Sequence, residues 1–238
     1  MTHIYLATDI GLQRELNEDA VAELGNETYV VADGMGGYAA GEVASRILVD
    51  TVRIELATKE HYDESALVHA LLSANTAILN TVNEHPKYSG MGTTATIFHR
   101  EGRKIVWAHV GDSRLYLLRE QLLSQITNDH SLVSDLVANG SITPEEARQH
   151  PKRNVITRAV GVATDLVIDK GSFPMVDNDI LMLASDGLTS VVPDETICKL
   201  LLDSSVKENV ADRLVECAIQ AGSHDNISVI VVRYDTIT

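Results

Sequence analysis

Aspartate stands repeatedly where an apolar, strand-like run gives out. Thr28-Tyr29-Val30-Val31-Ala32 runs into Asp33-Gly34-Met35-Gly36-Gly37, and Ile180-Leu181-Met182-Leu183-Ala184-Ser185 into Asp186-Gly187. Val106-Trp107-Ala108-His109-Val110 leads into Gly111-Asp112-Ser113-Arg114, Asp225-Asn226 precedes Ile227–Val232, and Glu18-Asp19 follows a first strand and turn. A strand end is rigid enough to fix a short carboxylate within the tolerance of a catalytic metal site. The glycine after an aspartate leaves a backbone carbonyl accessible as a further oxygen. Mg2+ and Mn2+ take oxygen ligands in octahedral geometry and keep several waters. Aspartates with no His/Cys set beside them therefore point to those ions, not to zinc. A single Asp-Gly is ordinarily a plain turn; recurrence along one chain weakens that reading, and spacing alone leaves convergence open.

The loop Asp33-Gly34-Met35-Gly36-Gly37-Tyr38-Ala39-Ala40-Gly41-Glu42 enters a helix in the manner of an anion-binding loop. It lacks the lysine of a phosphate-binding Walker loop and the spacing of a dinucleotide fingerprint, so both nucleotide readings fail. An acidic residue followed by glycines fits a metal loop better. Arg14, just ahead of Asn17-Glu18-Asp19, is either a surface arginine or a guanidinium fork for a phosphate. The two cysteines, Cys198 and Cys217, form no CxxC knuckle and begin no Cys-x5-Arg loop, which removes the cysteine route to phosphoester cleavage. None of the nine histidines forms an HxxH or HxxxH pair; His130 is expected to support the fold.

These residues need a scaffold, and the patterning supplies one. Strands are expected at Ile4–Thr8, Glu27–Ala32, Thr93–His99, Lys104–Val110, Arg114–Arg119, Ile180–Ala184 and Ile227–Tyr234. The short links between the third, fourth and fifth of these predict antiparallel hairpins, with turns at Glu101-Gly102 and Gly111-Asp112. Helical spacing of apolar residues predicts helices over Glu42–Ala57 and Glu64–Val82. Thr143-Pro144-Glu145-Glu146 is a capping box, and Ser205-x-x-Glu208 repeats the device before Val206–Ala221. The polar stretch Asp129–Asn154 breaks the strand rhythm and is expected to form a flap laid over one edge of the core. Antiparallel strands with helices outside them give an α+β layered fold.

The 238 residues are 45% hydrophobic and 22% charged, which excludes a disordered chain. A net charge of −15 disfavours nucleic acid and anionic membrane as partners. The N-terminus carries no signal-peptide pattern and no apolar run approaches membrane-spanning length, so the expected setting is cytoplasmic and reducing.

Taken together, the motifs resemble the metal-dependent Ser/Thr protein phosphatases of the PP2C type, in particular their compact bacterial branch. The matches are Arg14-x-x-Asn17-Glu18-Asp19, Val31-Ala32-Asp33-Gly34-Met35-Gly36-Gly37, Met91-Gly92-Thr93-Thr94, Val110-Gly111-Asp112-Ser113-Arg114, Thr127-Asn128-Asp129-His130-Ser131, Ser185-Asp186-Gly187-Leu188 and Asp225-Asn226-Ile227-Ser228. They occur in family order over essentially the whole chain. The resemblance implies one domain over residues 1–238: a four-layer α-β-β-α sandwich of two central antiparallel sheets, with metals at one end and residues 129–154 as a mobile flap. It implies that Asp33 bridges two Mn2+ or Mg2+ ions and that the Gly34 carbonyl ligates one. Asp19, Asp186 and Asp225 complete the pair of sites, Glu18 acts through a water, and Asp112 with Asp186 holds a weaker third ion. Arg14 takes the phosphate. A water shared by two divalent ions then supplies hydroxide to attack phosphorus in line, without a phospho-enzyme.

One departure concerns the acid. Where the family usually reads Gly-Gly-His-Ala-Gly, this chain has Gly37-Tyr38-Ala39-Ala40-Gly41. Either Tyr38 or a metal-bound water protonates the leaving alkoxide, or Tyr38 only packs at the rim. The expected activity is hydrolysis of phosphoserine and phosphothreonine in proteins, countering a Ser/Thr kinase, by a chain for which a monomer suffices. The alternatives are a phosphoprotein-binding pseudo-phosphatase and a phosphatase dedicated to one regulatory partner.

Overall fold

The computed structural model describes residues 1–37, 40–57, 59, 61–203 and 209–235. The strands run β1 (Thr2–Asp9), β2 (Asp19–Glu23), β3 (Thr28–Met35), β4 (Gly92–Thr93), β5 (Ala95–Glu101), β6 (Lys104–Val110), β7 (Arg114–Arg119), β8 (Leu122–Gln125), β9 (Asp169–Pro174), β10 (Ile180–Ala184) and β11 (Ile227–Tyr234). The helices are α1 (Ala40–Ala57), α2 (Glu64–Glu84), α3 (Leu132–Ala138), α4 (Pro144–Gln149), α5 (Asp186–Thr189), α6 (Asp194–Leu202) and α7 (Val210–Gln220).

Two antiparallel sheets form, one in the order β1-β11-β10-β7-β8 and one in the order β2-β3-β5-β6-β9 with β4 beside β3. Strand alternation decides how they stack. Tyr29, Val31, Phe98 and Ile105 of the second sheet pack on Leu115, Leu117, Leu181, Leu183, Ile230 and Val232 of the first. The residues between them in sequence point the other way. Val30, Ala32, Ile97 and Val106 meet Leu48 and Val52 of α1 and Leu67, Leu71 and Ile78 of α2. On the far side Tyr116, Met182, Val229 and Val231 meet Leu188, Ile197, Leu201 and Leu214 of α5 to α7. Strands covered on both faces read as continuous apolar runs for this reason. The result is the expected four-layer α-β-β-α sandwich. Among the described residues α2 alone is long and apolar enough to cross a membrane; Leu67, Ala70, Leu71, Ala74 and Ile78 spend its apolar stripe on the core.

Most expected elements are present with ends shifted by a few residues. Three strands lie where no strand was expected: β2, β8 and β9, which are short or polar and sit at or near sheet edges. The expected Val206–Ala221 helix begins at Val210, capped by Asn209, whose side chain accepts from the Ala211 amide at 3.0 Å; the Ser205-x-x-Glu208 box lies outside the described residues. The Thr143 box is present, with the Glu146 carboxylate accepting from the Thr143 amide at 2.8 Å.

One topological expectation is corrected. The Gly111-Asp112 link is no hairpin, because β6 pairs with β5 and β9 whereas β7 pairs with β8 and β10. The chain crosses from one sheet to the other here. Gly111 has φ +110, and a Cβ on it would stand 2.5 Å from the Thr94 methyl. The Ser113 hydroxyl bonds that of Thr94 at 2.8 Å, and the Ser113 carbonyl accepts from the Thr96 hydroxyl at 3.0 Å. Those bonds hold the link against β5 instead of folding it into a turn, and they set Asp112 at the junction of the sheets.

Candidate metal centre

Asp33 lies inside β3, not beyond its end, directly across the ladder from Asp19 of β2. The Thr93-Thr94 pair fixes it. The Asp33 amide donates to Thr94 Oγ1 at 2.9 Å, and its carbonyl accepts from the Thr94 amide at 2.8 Å and the Thr93 hydroxyl at 3.0 Å. Gly34 follows where nothing larger fits: a Cβ would stand 2.2 Å from the Gly41 carbonyl oxygen and 2.5 Å from that of Glu18. This close approach brings the start of α1 onto the strand, so the Glu18 carboxylate accepts from the Gly41 amide at 3.2 Å. The Glu18 carbonyl accepts from the Ser45 hydroxyl at 2.6 Å.

The first sheet delivers the remaining carboxylates. Asp186 begins α5 directly after β10, and Asp225 directly precedes β11. Ser185 and Asn226, which no sequence argument assigned a role, tie these ends to the second sheet. The Ser185 hydroxyl donates to Asp19 Oδ2 at 2.9 Å and accepts from the Ser228 amide at 3.0 Å. Asn226 is buried; it accepts from the Glu18 amide at 2.8 Å and donates to the carbonyls of Ile10 at 2.9 Å and Leu16 at 3.0 Å. It thereby moors the whole 10–18 loop, including Arg14. Both residues stood beside the aspartates in the Ser-Asp-Gly and Asp-Asn motifs, which was the available signal.

Arg14 stands at the rim, its side chain 45% exposed, with Nη2 2.7 Å from Asp225 Oδ2 and Nη1 4.0 Å from Glu18 Oε2. The hydrogen bond to Asp225 raises its pKa against the opposing cost of burial. Asp129 is not available to the cluster, since the Arg114 guanidinium grips it at 2.9 and 2.6 Å. Tyr38 lies outside the described residues.

The electrostatics call for cations. Burial, reinforced by neighbouring carboxylates, pushes Asp19 up to about 7, Asp112 up to about 8 and Asp33 well above the usual carboxylate range. Burial, with Asp225 alongside, pushes Asp186 up to about 6 even though Asp33 hydrogen-bonds it. Burial likewise raises Glu18. One oxygen of Asp112 and one of Asp186 are buried with no hydrogen-bond partner. Unpaired buried carboxylate oxygens are costly unless paired or coordinated to a metal.

Among the described residues, no three His, Cys, Asp or Glu side chains already stand in a ready-made metal-holding group. Some of the carboxylate oxygens already have protein partners: Arg14 holds Asp225, Ser185 holds Asp19, and Asp33 bonds Asp186. The donor set is all oxygen, without thiolate or imidazole, and fits Mn2+ or Mg2+.

Comparison with known proteins agrees. The family model described as Protein phosphatase 2C matches residues 12–216. The chain is 40% identical over 242 residues to the serine/threonine protein phosphatase PstP of Mycobacterium tuberculosis, covering 96% of this chain and 45% of that protein, so it spans about half of that relative. It is 37% identical over 243 residues to the serine/threonine phosphatase stp of Listeria monocytogenes, covering 98% of this chain and 96% of the relative. A solved structure of the PstP catalytic domain in complex with two manganese ions superposes with a TM-score of 0.89 at 37% identity, covering 99% of both chains. The chain belongs to the protein phosphatase 2C family.

Proposed function

We propose that this chain is a Mn2+- or Mg2+-dependent protein phosphatase acting on phosphoserine and phosphothreonine. The observation that carries the reading is the approach of Asp19, Asp33, Asp186 and Asp225 from both sheets, three of them raised in pKa by desolvation and by neighbouring carboxylates. The relatives' names and the two manganese ions in the PstP structure support it.

In this reading Asp33, Asp19, Asp186, Asp225 and the Gly34 carbonyl would hold two ions, Glu18 would support them, and Asp112 with Asp186 would hold a weaker third. Bound divalent ions neutralise phosphoryl charge and acidify water so that a nucleophile is available near neutral pH. The protein's own share is positioning. Arg14 holds Asp225 with Nη2; a phosphoryl oxygen competes for that donor while the remaining guanidinium N–H groups orient the group for in-line attack. Ser185 favours the ionised form of Asp19 by donating to it, one of the contacts that oppose its raised pKa. The alkoxide leaving group needs a proton, from Tyr38 or from water.

The natural substrates are phosphorylated Ser/Thr proteins, with a Ser/Thr kinase as the opposing partner, met in the cytoplasm by a monomer; the −15 charge speaks against nucleic acid and anionic membrane. The test is phosphate release from a phosphothreonine peptide. Turnover with Mn2+, abolished by EDTA and by Asp33→Ala, is the expected result. Silence in Mn2+ with p-nitrophenyl phosphate as well as with the peptide overturns the reading.

A further inference from the structure

In a chain of net charge −15, one stretch without an acidic residue, 147–164, holds four basic ones: Arg148, Lys152, Arg153 and Arg158. Arg158 is neutralised by Asp169 at 3.0 Å. The other three are exposed and make no ion pair among the described residues. Asp135 belongs to α3, and Glu145 and Glu146 begin α4, with the Glu146 carboxylate bound to the Thr143 amide. Arg148 lies in the last turn of that six-residue helix, about 3–5 Å along the axis from the acids.

The segment is rooted beside the metal centre at both ends. The His130 amide donates to the Gly111 carbonyl at 2.7 Å and the Gly111 amide to His130 Nδ1 at 3.1 Å, one residue from Asp112. The returning limb is laced to the same place: the Thr157 amide donates to the His130 carbonyl at 2.8 Å and the Leu132 amide to the Val155 carbonyl at 2.8 Å. Lys152 and Arg153 therefore stand within three residues of the flap's foot, on the limb tied back to His130 and Gly111 beside Asp112.

We propose that Arg148, Lys152 and Arg153 form a docking patch for anionic groups flanking the phosphorylated residue, so that this chain favours phosphopeptides with Asp, Glu or a second phosphate a few residues from the scissile one. The proposal rests on the phosphatase reading and names its substrate class. At physiological salt, charges beyond about 8 Å are screened, so an incoming anionic peptide answers to these local cations more than to the net charge of the chain. Each exposed pair contributes little alone; the three together are expected to lower KM about tenfold and leave kcat alone, because none touches the reacting atoms.

The experiment compares phosphothreonine peptides of equal length with neutral, acidic or doubly phosphorylated flanks, in Mn2+, for the wild type and for Arg148→Ser, Lys152→Ser and Arg153→Ser combined. The wild type is expected to show KM about tenfold lower on the acidic and doubly phosphorylated peptides, the triple variant to erase that difference, and 0.5 M NaCl to do the same. KM for the neutral peptide and turnover of p-nitrophenyl phosphate are expected to be unchanged, which also shows that the variant is folded. A preference for the second phosphate alone narrows the recognised group and supports the patch. Equal KM values across peptides in the wild type, or a preference that survives the triple substitution, overturn it. Fluorescence anisotropy of the labelled peptides in EDTA reads docking without turnover, so failure of the phosphatase reading and failure of the patch are told apart.

Discussion

Asp19 and Asp33 are direct cross-strand partners in the β2–β3 ladder. Like charges in such a position destabilise a sheet, and here both are partly buried where the two sheets meet. The pair makes sense as one end of a cation site, and its cost without a cation sets the first expectation.

Asp19, Asp33 and Asp112 hold their protons more tightly folded than unfolded, with Asp19 near 7 and Asp112 near 8. Between the ordinary carboxylate pKa of about 4 and those values the native state binds more protons, so stability falls as pH rises. Buried His109, pushed down to about 4, has the opposite sign, because only the unfolded chain protonates it below its ordinary value of about 6.5. The clean window is therefore from about pH 6.5 to pH 8.5. Thermal melting in EDTA is expected to shift down across it. Saturating Mn2+ is expected to raise Tm by roughly 5 °C or more at the upper end, and by less at the lower end, where protons compete. A metal-free Tm that climbs through this window would contradict the assignment.

Asn226→Ala removes three bonds that moor the 10–18 loop, to the Glu18 amide and the Ile10 and Leu16 carbonyls. Losing these three part-buried bonds is expected to cost about 1–3 kcal/mol in urea denaturation, with lost turnover because Arg14, Glu18 and Asp19 ride on the loop. A loss under about 0.5 kcal/mol, the ordinary surface value, would mean that the loop is held otherwise.

Gly34→Ala places a methyl 2.2 Å from the Gly41 carbonyl oxygen. Since both contacts are backbone, β3 and α1 must part. A destabilisation of about 2–4 kcal/mol and weakened Mn2+ binding are expected from this overpacking. Calorimetry on the purified variant checks both, and wild-type affinity would show that the approach is dispensable.

Arg14 is nearly half exposed, so Arg14→Ala is expected to leave stability within about 0.5 kcal/mol while lowering kcat/KM about a hundredfold. Arg14→Lys is expected to recover little, since an ammonium cannot reproduce the planar fork. Equal loss of stability and activity would make Arg14 a structural residue.

The long apolar strands and helical stripes were legible because burial on both faces writes itself into sequence as continuous apolar runs. β9, Asp169–Pro174, was not, because an edge strand with alternating exposure and a glycine carries no such run. The Gly111 crossover escaped for a different reason. Its spacing permits a hairpin, and only bonds to Thr94 and Thr96, distant in sequence, send the chain to the other sheet. Among the site residues, the aspartates announced themselves by type and position, whereas Ser185, Thr94 and Asn226 act through partners up to 216 residues away. Such roles cannot be read from local pattern.

Mn2+ titration of the metal-free protein by calorimetry, on the wild type and Asp33→Asn, tests the central claim that these carboxylates form one centre. The expected result is two tight ions per chain in the wild type, as in the PstP structure, with protons released on binding. In Asp33→Asn both sites are expected to weaken together, since the proposed centre shares Asp33 between them. Independent weakening of a single site, or no tight binding in the wild type, would contradict the account.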